Sequence, residues 1–192
     1  MYKVVSMNIL DTKIPEVKII EPCIFNDGRG FFYESFQVKR YEELLGIQDT
    51  FVQDNLSRSC KGVLRGLHYQ SQQTQGKLIS VLAGEVFDVA VDIRLGSPTF
   101  GLWVGAILSG ENKRQIWIPK GFAHGFYVLS NTADFFYKCT DYYHPESELS
   151  ISYQDPELAI EWPIIDDVQL SAKDMQARPL NLIDPQFLPR YQ

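Results

Sequence analysis

Between Lys77 and Arg94 the chain reads KLISVLAGEVFDVAVDIR, an apolar and largely β-branched stretch broken once by Ala83-Gly84-Glu85. Beyond that break Phe87, Val89, Val91 and Ile93 alternate with Val86, Asp88, Ala90 and Asp92. A period of two sends successive side chains to opposite faces of a strand, so the segment predicts two strands joined by a turn. Similar runs follow at LWVGAILS, RQIWIP, HGFYVLS and DFFYKCT, separated by LGSPTFG, SGEN, PKG and SNTA. Short strands at regular spacing with turn residues between them predict an antiparallel sandwich or barrel. Helical patterning is confined to two places. VKRYEELLG sets Val38, Tyr41 and Leu45 on one face with Gly46 as a stop, and SAKDMQA starts a short helix at Ser171.

A chain of 192 residues with 45% hydrophobic content is long enough to bury one substantial core. No repeat, low-complexity run or linker divides it, so one all-β domain is expected over 1–192, with a core at about 17–165 and a C-terminal segment at about 166–192 packing on it. The net charge is −6 and no cluster of basic residues occurs, which argues against nucleic acid and anionic membranes as partners. An anionic ligand must then be held by local charge. The N-terminal MYKVVSMNILDTKIPEVKII lacks a signal-peptide pattern and no later run reaches the ~20 apolar residues of a membrane span, so a cytoplasmic location is expected. Cys23, Cys60 and Cys139 are far apart, odd in number and outside any metal-ligand spacing, and read as reduced bystander thiols.

Candidate chemistry rests first on three histidines, the side chains most readily set to exchange protons near neutral pH. His68 lies in KGVLRGLHYQ, where a strand end can present it with Arg65 to a cavity; a hydrogen-bonded structural role is the competing reading. His124 lies in IPKGFAHGF, with the P-x-G-x-x-H spacing of the second cupin motif. The H-x-H pair that metal-binding cupins carry is replaced by His68-Tyr69-Gln70, and three or four converging ligands are not in evidence, so no metal is expected. In DFFYKCT, alternation puts Tyr137 on the face opposite Phe136 and Lys138, either packed in the core or facing a cleft as a donor. Asp174 stands three residues after Ser171, where an acid favours a helix N-terminus or serves as a partner for a histidine.

Seven segments in order, DGRGFFYESF, QDNLSRS, KGVLRGLHYQ, GEVFDVAVDIRLGSPTFG, RQIWIPKGFAHGF, YKCTDYY and LSAKD, resemble the dTDP-4-dehydrorhamnose 3,5-epimerase family from about Val17 to Pro179. The resemblance implies a metal-free, cupin-type jelly roll acting as a homodimer, without a cofactor, on a dTDP-linked 4-keto-6-deoxy sugar. It implies that His68 is the base, Asp174 its orienting carboxylate and Tyr137 the acid. Lys77, with Arg65, is the candidate for the charge that develops on the ketone oxygen. Arg29, Glu34, Gln53, Asn55, Arg65, Lys77, His124, Glu148 and Lys173 resemble substrate-binding positions, and Phe25 and Tyr143 those that contact the nucleotide. Some of these are expected to come from the partner chain. The glutamine-rich SQQTQGK before and at Lys77 reads as a surface loop variation with little functional meaning. The rival readings are an epimerase acting at only one of the two carbons or on another nucleotide sugar, and a catalytically silent sugar-binding cupin.

Overall fold

A computed structural model describes residues 7–164 and 167–191, so the expected boundary at 165/166 lies outside the described residues. The predicted strands are present. A first pair, β1 (Asn8–Asp11) and β2 (Lys18–Glu21), is followed by a hairpin of β3 (Phe25–Asp27) and β4 (Gly30–Phe32), helix α1 (Val38–Leu45), β5 (Gln53–Cys60) and β6 (Leu64–Gln70). Then come β7 (Lys77–Ala83), β8 (Glu85–Asp92), β9 (Trp103–Ser109), β10 (Gln115–Ile118), β11 (Phe122–Val128), β12 (Thr132–Cys139), the short β13 (Glu148–Ser150) and helix α2 (Ala172–Met175). Pairing is antiparallel throughout these strands. They form a six-stranded sheet, β1-β2-β10-β7-β12-β5, a five-stranded sheet, β13-β6-β11-β8-β9, and the separate hairpin, the layout of a jelly roll.

The core between the sheets takes Val86, Ala90, Val104 and Leu108 from one and Ile79, Val81, Ile116 and Phe135 from the other, all 5% exposed or less. The opposite face of β8 is equally apolar. Val89, Val91 and Ile93 pack with Leu67, Ile151, Leu158, Leu180 and Leu188, so described residues after β13 cover the five-stranded sheet as a second layer. That is why β8 has no solvent-facing side: each side of the strand has its own core. On the outer face of the six-stranded sheet, α1 lays Tyr41 onto Ile20, Leu78 and Trp117, and the Tyr41 hydroxyl donates to Gln115 Oε1 at 2.5 Å. Leu45 packs with this cluster, but Val38 is 57% exposed, because the first turn overhangs a depression lined by Phe36 and Ile47. Gly46 closes α1 in the left-handed region with its N–H on Glu42 O, as the sequence pattern anticipates. No helix among the described residues is long and apolar enough to cross a membrane.

Candidate active site

A cleft of about 410 Å³ opens between the two sheets. The five-stranded sheet contributes Arg65 and His68 from β6 and His124 from β11, while the six-stranded sheet contributes Lys77 from β7, Tyr137 from β12 and Gln53 and Asn55 from β5. Two histidines therefore face a tyrosine and a lysine across the gap. Strict alternation would send Arg65 and His68, three residues apart, to opposite faces. A bulge removes the conflict: His124 pairs with His68 but Phe126 pairs with Arg65, so Gly66 and Leu67 together oppose Gly125 alone. Gly66 has φ +123°, and a Cβ there would sit 2.5 Å from Gly125 Cα and 2.7 Å from His124 O. Only glycine fits, and that is what brings both side chains into one cleft.

His68 Nε2 lies 2.5 Å from Asp174 Oδ1, across 106 residues of sequence. Ser171 caps α2 by accepting from Asp174 N at 3.1 Å and donates its hydroxyl to Asp174 Oδ2 at 2.8 Å. Burial works against the charge on Asp174, but the bonds to His68 and Ser171 outweigh it and hold the carboxyl below its ordinary value. With Nε2–H given to Asp174, the half-buried His68 ring keeps Nδ1 as its lone-pair nitrogen. Opposite, burial pushes the Tyr137 phenol up to about 12, with Cys139 and Glu148 adding to the shift, so the hydroxyl carries its proton at neutral pH. Burial lowers Lys77, opposed by Cys139, Glu148 and Asp88, and its ammonium stands 6.0 Å from the Tyr137 ring centre. Arg65, which lines the cleft, donates Nε–H to Ser59 Oγ at 3.1 Å, which fixes the guanidinium plane.

Around the mouth, Lys173 Nζ and the Tyr143 hydroxyl both reach Glu148 Oε2, at 2.6 and 2.8 Å. These contacts outweigh the burial of Glu148 and keep it below its usual range. Gln53 accepts from Tyr143 N at 2.9 Å and donates to Asn55, whose amide reaches Cys139 Sγ at 3.6 Å. Phe25, Arg29 and Glu34 do not join this cleft within one chain. Phe25 and Arg29 belong to the β3–β4 hairpin, where Arg29 pairs with Asp27, and Glu34 pairs with Arg40 of α1. Phe31 and Phe32 on the same hairpin are 57% and 69% exposed.

The loop read as a neutral glutamine-rich variation is instead part of the site. Thr74 and Gln75 line the cleft, and the loop is tied to residues 140–148 by Gln75 Nε2 to Asp141 O at 2.9 Å, Ser147 Oγ to Gln72 O at 3.1 Å and Gly76 N to Thr140 Oγ1 at 2.8 Å. Asp88 also escaped the sequence reading. It is fully buried on β8 and meets His124 Nε2 at 2.8 Å. The sign of it was a carboxylate between Val86 and Ala90 on an inward face. Among the described residues no group of three or more His, Cys, Asp or Glu is placed to hold a metal ion, and Cys23, Cys60 and Cys139 are free thiols.

Residues 11–181 match the family model described as dTDP-4-dehydrorhamnose 3,5-epimerase. The dTDP-4-dehydrorhamnose 3,5-epimerase of Pseudomonas aeruginosa is 60% identical over 165 residues, 86% of this chain and 91% of that protein. Among solved structures, the dTDP-6-deoxy-D-glucose-3,5-epimerase of Legionella pneumophila, in complex with dTDP-4-keto-L-rhamnose, is 79% identical, with a TM-score of 0.96 over 97% of this chain and all of that one. A 3'-monoepimerase of Streptomyces bikiniensis, in complex with dTDP-quinovose, is similar at 33% identity and a TM-score of 0.89, covering 95% and 93% of the two chains. Fold, cleft and sequence agree, and the chain belongs to the dTDP-4-dehydrorhamnose 3,5-epimerase family.

Proposed function

We propose that this chain is an isomerase that epimerises dTDP-4-dehydro-6-deoxy-D-glucose at carbons 3 and 5 to dTDP-4-dehydro-L-rhamnose, in dTDP-rhamnose biosynthesis. The observation that carries the reading is the His68–Asp174 pair facing Tyr137 across the cleft, in a chain 79% identical to a 3,5-epimerase with dTDP-4-keto-L-rhamnose bound. Similarity to the monoepimerase is far lower, at 33%, which favours action at both carbons.

The chemistry needs no redox step. A hydrogen on a carbon beside a ketone is removable once the enolate is stabilised, and inversion then requires a proton delivered to the other face. His68 Nδ1 takes the proton, and ionised Asp174 holds Nε2–H and stabilises the imidazolium that forms; acid–base groups of this kind contribute roughly 10²–10⁴-fold. Lys77, with Arg65 near it, meets the growing charge on the carbon-4 oxygen, where a fixed positive donor acts on the transition state more than on the ground state. Tyr137 returns a proton from the opposite sheet. Arg65 and Arg29 serve the diphosphate, with Gln53, Asn55, His124, Glu148 and Lys173 holding the sugar and Phe25 and Tyr143 the nucleotide.

The protein acts as a single-domain homodimer in the cytoplasm, using no metal or cofactor. Support for the dimer comes from the exposed Phe31 and Phe32 on the hairpin and from the distance of Phe25, Arg29 and Glu34 from their own cleft, which lets them complete the cleft of a second copy. Three free thiols suit a reducing compartment. Incubation with dTDP-4-keto-6-deoxyglucose in deuterated water tests the activity. Label at carbons 3 and 5 with inversion at each is expected; label at one carbon alone makes the enzyme a monoepimerase, and none makes it a binding protein.

A further inference from the structure

Asp88 is fully buried on the inner face of β8, flanked by Val86 and Ala90, which are also at 0% exposure. One carboxylate oxygen meets His124 Nε2 at 2.8 Å, and the other, Oδ1, has no hydrogen-bond partner among the described residues. A half-satisfied carboxylate is a costly way to fill an apolar layer, and an aliphatic side chain of similar volume would complete the same core at lower cost. Packing therefore does not account for Asp88. Its neighbour does.

The contact repeats the arrangement at His68. That histidine gives Nε2 to Asp174 Oδ1, and His68 and His124 are direct cross-strand partners on β6 and β11, lining one cleft. In each pair a carboxylate oxygen faces Nε2, the arrangement in which Nε2–H donates to it and Nδ1 is left as the lone-pair nitrogen. His124 makes no hydrogen bond through Nδ1 among the described residues. The charged groups that face the ring are Asp88 from β8, Lys77 from β7 and His68 from β6; burial lowers the proton affinity of His124, Asp88 raises it, and Lys77 and His68 lower it again.

We infer that Asp88 is a positioning residue that locks His124 in the Nε2–H tautomer, so that His124 Nδ1 accepts a hydrogen bond from a hydroxyl of the bound keto-sugar. The inference rests on the reading of this cleft as a 4-keto-hexose site. Such a ring keeps hydroxyls on carbons 2 and 3, next to the reacting centre, and a neutral acceptor in a dry pocket selects for them because a sugar lacking the hydroxyl leaves the nitrogen unpaired. In the other tautomer Nδ1 would carry the proton and could only donate to that hydroxyl, so the acceptor that the O–H needs would be lost.

Two measurements test it, and the first needs no substrate. In free enzyme carrying ¹⁵N-labelled histidine, His124 is expected to be neutral, protonated at Nε2 and bare at Nδ1. In Asp88→Leu the tautomers should mix and KM should rise tenfold or more, with kcat changing less than threefold. Asp88→Asn, whose amide oxygen still accepts from Nε2–H, should recover the single tautomer and most of the lost affinity. A wild-type His124 bare at Nε2, or an Asp88→Leu enzyme with an unchanged tautomer or unchanged KM, overturns the inference. If Asp88→Leu does not fold, the wild-type and Asp88→Asn spectra and the Asp88→Asn KM decide. Failure of the keto-sugar reading itself would appear separately, as an absence of turnover in a wild-type enzyme whose His124 tautomer is as stated.

Discussion

Replacing Tyr137 by phenylalanine removes one oxygen and leaves the ring, which packs 5.9 Å from Phe135 and 6.0 Å from the Lys77 ammonium, in place. The hydroxyl faces the cleft and makes no hydrogen bond among the described residues, so the stability change should stay within about 1 kcal/mol. The effect on chemistry is large and selective. With its pKa at about 12, the phenol is protonated by roughly 10⁵ to 1 at pH 7, so essentially every wild-type molecule has the donor ready. Loss of a positioned acid should lower inversion by about 10²–10³-fold. Removal of the substrate proton by His68 does not use Tyr137, so exchange with retention, in which the enolate takes a solvent-derived proton back from the His68 side, should fall by less than about tenfold. NMR of deuterium content and configuration at carbon 5 in one sample reads both rates, with dTDP binding measured separately to exclude a packing defect. Equal losses of exchange and inversion, or inversion at the wild-type rate, would refute the donor assignment.

Asp174→Asn leaves His68 its ring but removes the charge that stabilises its imidazolium; kcat should fall by about 10²-fold or more while KM stays within a few-fold, and comparable kcat values would show the pair to be structural. Because the Asp174 carboxyl is held below its usual value, it stays ionised as pH falls, so an acidic limb of the kcat/KM profile should follow a base other than Asp174 and should persist in Asp174→Asn. Gly66→Ala places a Cβ 2.5 Å from Gly125 Cα at a left-handed φ, and should cost about 2–4 kcal/mol, seen as a lower Tm, with catalysis lost in any folded fraction because Arg65 and His68 no longer share a face. Exhaustive chelation should leave turnover unchanged, and a loss restored by a stoichiometric divalent ion would contradict the proposed chemistry.

Local pattern was enough for much of this protein. The period-two alternation from Val86 to Ile93 specified a strand, the turns at Gly84 and around Pro119-Lys120-Gly121 bounded its neighbours, and Ser171 three residues before Asp174 marked a helix start that the structure caps in that way. These signals are short-range because backbone geometry and side-chain direction are set within a few residues. The segments quoted for the family carried His68 and Tyr137 into view, and alternation placed Tyr137 opposite Phe136 and Lys138, which line a depression on the outer face of the sheet.

What only the tertiary structure decided are relations between distant segments. Nothing local to β6 says that Gly66 opposes Gly125 and so turns Arg65 and His68 to one side; the bulge is a property of the β6–β11 pair. Periodicity could not reveal that both faces of β8 are buried, because the second core is completed by Ile151, Leu158, Leu180 and Leu188, far along the chain. Nor did it choose Asp88 for His124 over any other acid, or show that Thr74 and Gln75 border the cleft, since a loop's polar composition is the same whether it faces water or a ligand. Sequence periodicity records which face of an element is apolar, but which elements meet is settled only when the sheets close on each other and the burial and pairing of every polar group is decided at once.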